Sequence, residues 1–159
     1  MSRREADRED LMQEATALRQ RVEMRIDGGT ETVVAGFFAD GRLALYFESD
    51  PVFQFDPEGR LRRAFCDGDL FRSQGSTLAR LTRARSTHST DLERHDLGTE
   101  ELQSFLSRMK ERLAALLEAL QSNRIEVLRK VPDEMDLQER LRRALPAALQ
   151  ANLAPRLGM

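Results

Sequence analysis

The stretch DPVFQFDPEGRLRRAFCDGDLF, Asp50 to Phe71, crowds acids, arginines, phenylalanines and the chain's single cysteine into one short segment. Its punctuation decides the fold. Asp50-Pro51, Asp56-Pro57-Glu58-Gly59 and Asp67-Gly68 are turn formers, supplying a preset φ, a positive φ or a side-chain bond to the local backbone. Between them lie short runs rich in aromatic and apolar residues, Val52 to Phe55 and Arg60 to Cys66. Links this short join antiparallel neighbours, because a parallel crossover needs a dozen or more residues.

Outward from that segment the pattern repeats, with Asp40-Gly41 before it and Gly75-Ser76 after it. Candidate strands run over 32–39, 42–48, 52–55, 60–66, 70–73 and 77–85, an antiparallel meander of about six strands over roughly 32–85. Gly41-Arg42-Leu43 followed by Phe47 is echoed by Gly59-Arg60-Leu61 followed by Phe65. Residues four apart on a strand share a face, so Leu43, Leu45 and Phe47 are expected on one side, and Leu61 with Phe65 likewise. Two copies are too few for a solenoid or propeller.

Helical spacing flanks the meander. Leu11, Ala15, Leu18 and Val22 predict an N-terminal helix over 4–21, ended by Asp27-Gly28-Gly29. Gly98-Thr99-Glu100-Glu101 reads as a helix start, with Thr99 as cap and the acids near the positive end of the dipole. Leu102, Phe105, Leu106, Met109, Leu113, Leu116, Leu117 and Leu120 carry that helix over 99–121. A further helix opens near Pro132-Asp133 with a stripe from Leu137 to Leu149, and Pro146 predicts a kink or restart within it. Two segments fit either of two readings: 86–97 as loop or strand, 124–131 as strand or continued helix. The sum is an α+β protein, one domain over 1–159, with the meander region extending to 97, a helical and strand part over 99–153 and a frayed tail over 154–159.

Composition bounds the function. The 159 residues carry a formal net charge of -2, too balanced for a strong generic pull on nucleic acid or anionic membrane. No apolar run is long enough to span a bilayer, the start is charged rather than signal-like, and one cysteine forms no internal disulfide, so the expectation is a cytoplasmic protein with no membrane partner. The basic residues are arginine save Lys110 and Lys130.

Charge is distributed unevenly. From Glu31 to Glu58 six acids face the single Arg42, and from Arg60 to Arg94 eight arginines face four acids. Cross-strand pairing accounts for part of this. The alternative is an exposed ridge of Arg62, Arg80, Arg83 and Arg85 that recognises nucleic acid or another anionic ligand.

The catalytic candidates are weaker. Asp50 and Asp56 supply paired carboxylates for a hydrolase-like site, but each precedes a proline where the chain must bend. Cys66 sits among acids, which raise a thiol's pKa when a nucleophile needs it lowered. His88 and His95, seven apart and bracketing Asp91, fit no metal-ligand spacing. No phosphate loop, nucleophile elbow or zinc-protease helix occurs. The chain is therefore expected to have no catalytic residues, metal or cofactor, and to bind a protein partner or itself through surplus leucine-rich helix surface. Anion binding through the arginine ridge is the alternative, and hydrolysis through Asp50 and Asp56 the second.

Overall fold

The computed structural model describes residues 3–83, 92–129 and 131–155. The α+β architecture holds, with more strands than the sequence suggests. Helix α1 (Arg3–Glu14) and a 3-10 turn (Ala15–Ala17) precede β1 (Gln20–Ile26), β2 (Thr32–Phe37), β3 (Leu43–Phe47), β4 (Val52–Phe55), β5 (Leu61–Cys66), β6 (Asp69–Gln74), β7 (Thr77–Arg83) and β8 (Leu92–Asp96). Helix α2 (Thr99–Gln121), β9 (Ile125–Arg129) and α3 (Glu134–Ala148) follow. These strands form one antiparallel sheet in the order β8-β7-β6-β5-β4-β3-β2-β1-β9.

The extra strands arise where helical and strand periods overlap. Leu11 and Ala15 do pack on a helical face, but Val22 belongs to β1, where Val22 and Met24 are buried at a period of two. The expected helix over 4–21 therefore ends at Glu14 and the meander begins at Gln20. At the other side, 92–96 resolves as strand and pairs with β7, and 125–129 resolves as strand and pairs with β1. Arg85 and His88, with the end of the expected 77–85 strand, lie outside the described residues.

The two faces of the sheet carry separate cores. Leu43, Leu45, Phe47, Phe53, Phe55 and Leu61 pack with Phe105, Met109, Leu113 and Leu116 of α2 and Leu137, Leu141 and Leu145 of α3. On the opposite face Ala44, Tyr46, Val52 and Phe65 pack with Leu11 and Ala15. Strands β3 and β4 are thus buried on both sides, which explains their near-continuous apolar sequence.

The echo of Leu61 with Phe65 does not survive. Phe55 lies opposite Leu61 while Gln54 lies opposite Arg63, so Arg62 is an extra residue in β5. A bulge of one residue reverses the side-chain alternation that follows it. Leu61 consequently faces α2 and Phe65 faces α1.

The helix ends also depart from expectation. Gly98, not Thr99, occupies the cap position of α2, and the Glu101 carboxylate accepts the Gly98 N–H at 3.5 Å. Helix α3 continues through Pro146 and closes two residues later, near enough to its end that the missing amide interrupts little. The chain beyond α3 is not frayed at once: the Ala154 N–H donates to the Leu61 carbonyl at 2.8 Å, the Ala154 side chain is buried, and Leu153 bridges to Leu61. Residues 156–159 lie outside the described region. Gly59, with φ +85°, sits under α3 so closely that a Cβ there would come 2.6 Å from the Ala147 Cβ.

Candidate anion-binding face

The bulge in β5 does more than flip alternation. Without it, Arg62 and Arg63 would point to opposite faces; with it, the charge neighbours of Arg62 include Arg63, Arg42, Asp40 and Asp56. Arg63 lies on the α1 face. Its guanidinium donates to both oxygens of Glu14 at 2.8 and 2.6 Å and to the Gln54 side-chain carbonyl at 2.8 Å. Gln54 is 2% exposed and completes the network by donating to Glu14 at 2.9 Å. Burial alone would raise the Glu14 pKa, but the Gln54 hydrogen bond and the Arg63 pair hold it below the usual carboxylate range. This face therefore already holds one carboxylate, supplied by the chain itself.

Arg72 is directly opposite Arg63 on the neighbouring strand. Next along that row come Ala79 and then Asp96, two strands from Arg72. Arg72 is exposed, and burial of its base together with Arg63, Arg94 and Arg62 lowers its pKa. Crowding also acts on Arg62, where burial and then Arg42 and Arg63 lower the pKa against the smaller opposing influence of Asp40 and Asp56. Neither Arg62 nor Arg72 makes a side-chain hydrogen bond or ion pair with the described residues. Like charges directly opposite one another destabilise a sheet, and here Glu14 offsets the charge of Arg63 while that of Arg72 has no ion-pair partner among the described residues.

Many of the other arginines form ion pairs, although Arg19, Arg25 and Arg129, like Arg62 and Arg72, make none with the described residues. Arg42 meets Asp40 at 2.8 Å, Arg60 meets Asp56 at 2.8 Å and Arg112 meets Glu31 at 2.8 Å. Arg108 pairs with Asp67 and Arg124 with Glu118. The acidic hairpins are thus neutralised partly by arginines of α2 rather than by the basic strands alone.

The ridge expected from sequence is divided between the two faces. Arg80 is opposite Phe71, on the α2 side, where it pairs with Asp69 and Glu101 at 3.4 Å each and stacks 5.6 Å from the Phe71 ring centre. Arg62 lies with the α1-side arginines. Arg83 ends β7 opposite Leu92, and Arg85 is beyond the described residues. Sequence reading missed Arg72, Arg63 and Arg94 as members of the patch. Strand parity marks Arg72 and Arg94 as outward positions, but only the bulge brings Arg62 to them.

The catalytic candidates separate as well. Asp56 accepts the Glu58 and Arg60 N–H groups at 3.0 and 2.8 Å, the turn role expected of it. Asp50 accepts the Asp67 N–H at 2.5 Å and lies beyond the opposite end of β4. Cys66 is half-buried, and burial followed by Asp67 and Asp50 pushes its thiol up to about 11. Its sulfur and the carboxylates of Asp50 and Asp67 lie within 4.8 Å of one another, but Arg108 already pairs with Asp67. His95 is exposed beside Glu93 at 3.5 Å, and His88 is outside the described residues.

No described helix is long and apolar enough to cross a membrane. Comparison of the chain with protein-family models, with curated proteins and with solved structures finds no match, so its function rests on its own residues.

Proposed function

We propose that this is a binding protein whose α1-side sheet face captures a phosphorylated or otherwise multiply anionic ligand through Arg62 and Arg72, with Arg63 and Arg94 supporting the field. One observation carries the reading: Arg62 and Arg72 gather beside other arginines on one face and form no ion pair among the described residues, Asp40 and Asp56 acting on Arg62 only through their field. An oxyanion would relieve the repulsion, and the planar guanidinium fork suits its paired oxygens.

Two observations narrow the ligand and the alternatives. All eight phenylalanines and the single tyrosine are buried, and there is no tryptophan. No phenylalanine or tyrosine ring is exposed on this face to stack on bases, so the reading favours phosphate or carboxylate groups over unstacked nucleobases. The protein-binding and self-associating reading drew its support from surplus apolar helix surface. That surface lies inside the core, since Leu137, Leu141, Leu145 and Ala148 are buried, and the exposed large apolar side chains among the described residues are Leu128 and Met135.

The test uses inorganic tripolyphosphate as probe, measured by calorimetry at several salt concentrations. Binding should weaken as salt rises. The double charge reversal Arg62→Glu with Arg72→Glu should abolish it, while Arg80→Glu should leave it intact. Salt-independent binding, or loss through Arg80 and not through Arg62 and Arg72, would sink the proposal.

A further inference from the structure

Beneath the last residue of α1 the sheet holds a cradle of polar groups that fits a carboxylate. The side-chain oxygen of buried Gln54 accepts the Arg63 Nε–H at 3.0 Å and an Nη2–H at 2.8 Å. Both residues stand on strands, so these bonds fix the guanidinium without help from α1. The Gln54 amide at 2.9 Å and the Arg63 Nη2 at 2.8 and 2.6 Å then converge on one carboxylate, that of Glu14. Tyr46, on the neighbouring strand, is 1% exposed, and its hydroxyl has no hydrogen-bond partner among the described residues. Its polar neighbours are Gln54, Glu14 and Arg63, so a spare donor lies buried against the same cradle. A buried hydroxyl left unpaired is costly.

The occupant is held less firmly than the cradle. Glu14 is the last residue of α1 and its side chain is 36% exposed. The helix is tethered elsewhere: Leu11 and the adjoining Ala15 pack in the core, and Arg8 donates to the carbonyls of Phe47 and Asp50 at 2.9 and 3.1 Å. The carboxylate can therefore swing out to water while α1 stays docked. Near the cradle stand Arg63, Arg62, Arg72 and Arg42, the last paired with Asp40, while Asp56 is paired with Arg60 and Asp96 lies two strands from Arg72. Glu14 is the acid that neutralises Arg63.

We infer that this cradle is a further oxyanion subsite with Glu14 as its resident stand-in. A ligand with two or more oxyanion groups places one at Arg62 and Arg72 and exchanges another for the Glu14 carboxylate. The inference rests on the anion-binding reading of this face, and it adds Arg63, Gln54 and the Tyr46 hydroxyl as direct contacts. A phosphate suits the exchange better than a carboxylate, because its third oxygen can accept from Tyr46. A lone oxyanion gains little, since one anion merely replaces another. The site thereby selects ligands with linked phosphates, and Glu14 lowers their apparent affinity by the fraction of protein in which it holds the cradle.

The experiment titrates inorganic orthophosphate and tripolyphosphate into the full chain and into its Glu14→Asp, Glu14→Gln and Asp40→Asn variants. Affinity is read by calorimetry, and the cradle by the Gln54 side-chain amide and Arg63 Nε–Hε resonances. Tripolyphosphate should move both together with Arg62 and Arg72, and orthophosphate should leave the Gln54 amide still. Glu14→Asp keeps the charge but draws the carboxylate back by one methylene, and should strengthen tripolyphosphate binding about twofold. Glu14→Gln should strengthen it about fivefold. Asp40→Asn removes an equal charge near Arg62 without touching the cradle and should do clearly less. If Arg62 and Arg72 move while the Gln54 amide does not, if Glu14→Asp fails to strengthen binding, or if Asp40→Asn matches Glu14→Gln, the inference fails and the anion-binding reading stands. Absence of tripolyphosphate binding would overturn both.

Discussion

Replacing Arg72 by glutamine should stabilise the unliganded protein. The side chain faces Arg63 directly across the strand pair and feels Arg94 and Arg62 as well, with no acidic partner among the described residues. Cross-strand pairs contribute about 0.2 to 1 kcal/mol each, and like charges act with the opposite sign. Arg72 is exposed, only Arg63 is directly opposite it and Arg63 is itself paired with Glu14, so the low end applies and removing the charge should gain about 0.2 kcal/mol at low salt. The gain should shrink toward zero near 1 M salt, where the screening length falls to about 3 Å. Urea unfolding checks this through the midpoint, which should rise at low salt with an unchanged slope. Arg112→Gln is the control, because Arg112 is paired with Glu31 and its loss should destabilise. If Arg72→Gln destabilises the protein, or stabilises it equally at high salt, the charge on this face is compensated and the reasoning fails.

Three further outcomes follow from the fold and its side-chain networks. Gly59→Ala should destabilise the protein by clearly more than Gly75→Ala, since both have positive φ but only Gly59 would drive a Cβ into Ala147; matched denaturation curves compare them. Glu14 and Glu31 have folded-state pKa values held below the ordinary range, so their contribution is present above about pH 4.3, where the unfolded carboxylate is ionised, and is lost as pH falls through the depressed values. Glu14→Gln should cost about 1 kcal/mol at neutral pH, leaving Arg63 and buried Gln54 short of an acceptor, and should flatten the acid limb of the stability profile. Finally, Cys66 in the folded protein should react with iodoacetamide at pH 8 roughly 100-fold more slowly than the unfolded chain, because a thiol pushed from 9.0 up to about 11 is scarcely ionised there.

The turn residues made the meander legible. Asp67-Gly68 takes φ of 53° and 82°, the positive pair that a two-residue hairpin requires, and the bounds of α2 match the leucine spacing over 99–121. The strand β1 was hidden because Val22 satisfies both a helical and an alternating pattern, and short edge strands such as β8 and β9 offer few apolar residues to read. The bulge at Arg62 carries no glycine or proline to mark it. That inserted residue sets Arg62, which the charge bias of 60–94 already suggests, beside Arg63, while strand pairing places Arg72 opposite Arg63. Arg80 reads like Arg72 along the chain, and only strand pairing shows that one faces α2 and the other faces the α1 side. Likewise Asp50 and Asp56 look like a pair in sequence, and the length of β4 keeps them apart.

The most direct measurement of the anion-binding claim follows the arginine Nε–Hε resonances while tripolyphosphate is added. The resonances of Arg62 and Arg72 should move first and together, with those of Arg80, Arg108 and Arg112 still, and addition of salt should reverse the shifts. Movement confined to Arg80, Arg108 or Arg112, or none at Arg62 and Arg72, would contradict the assignment of this face as the binding site.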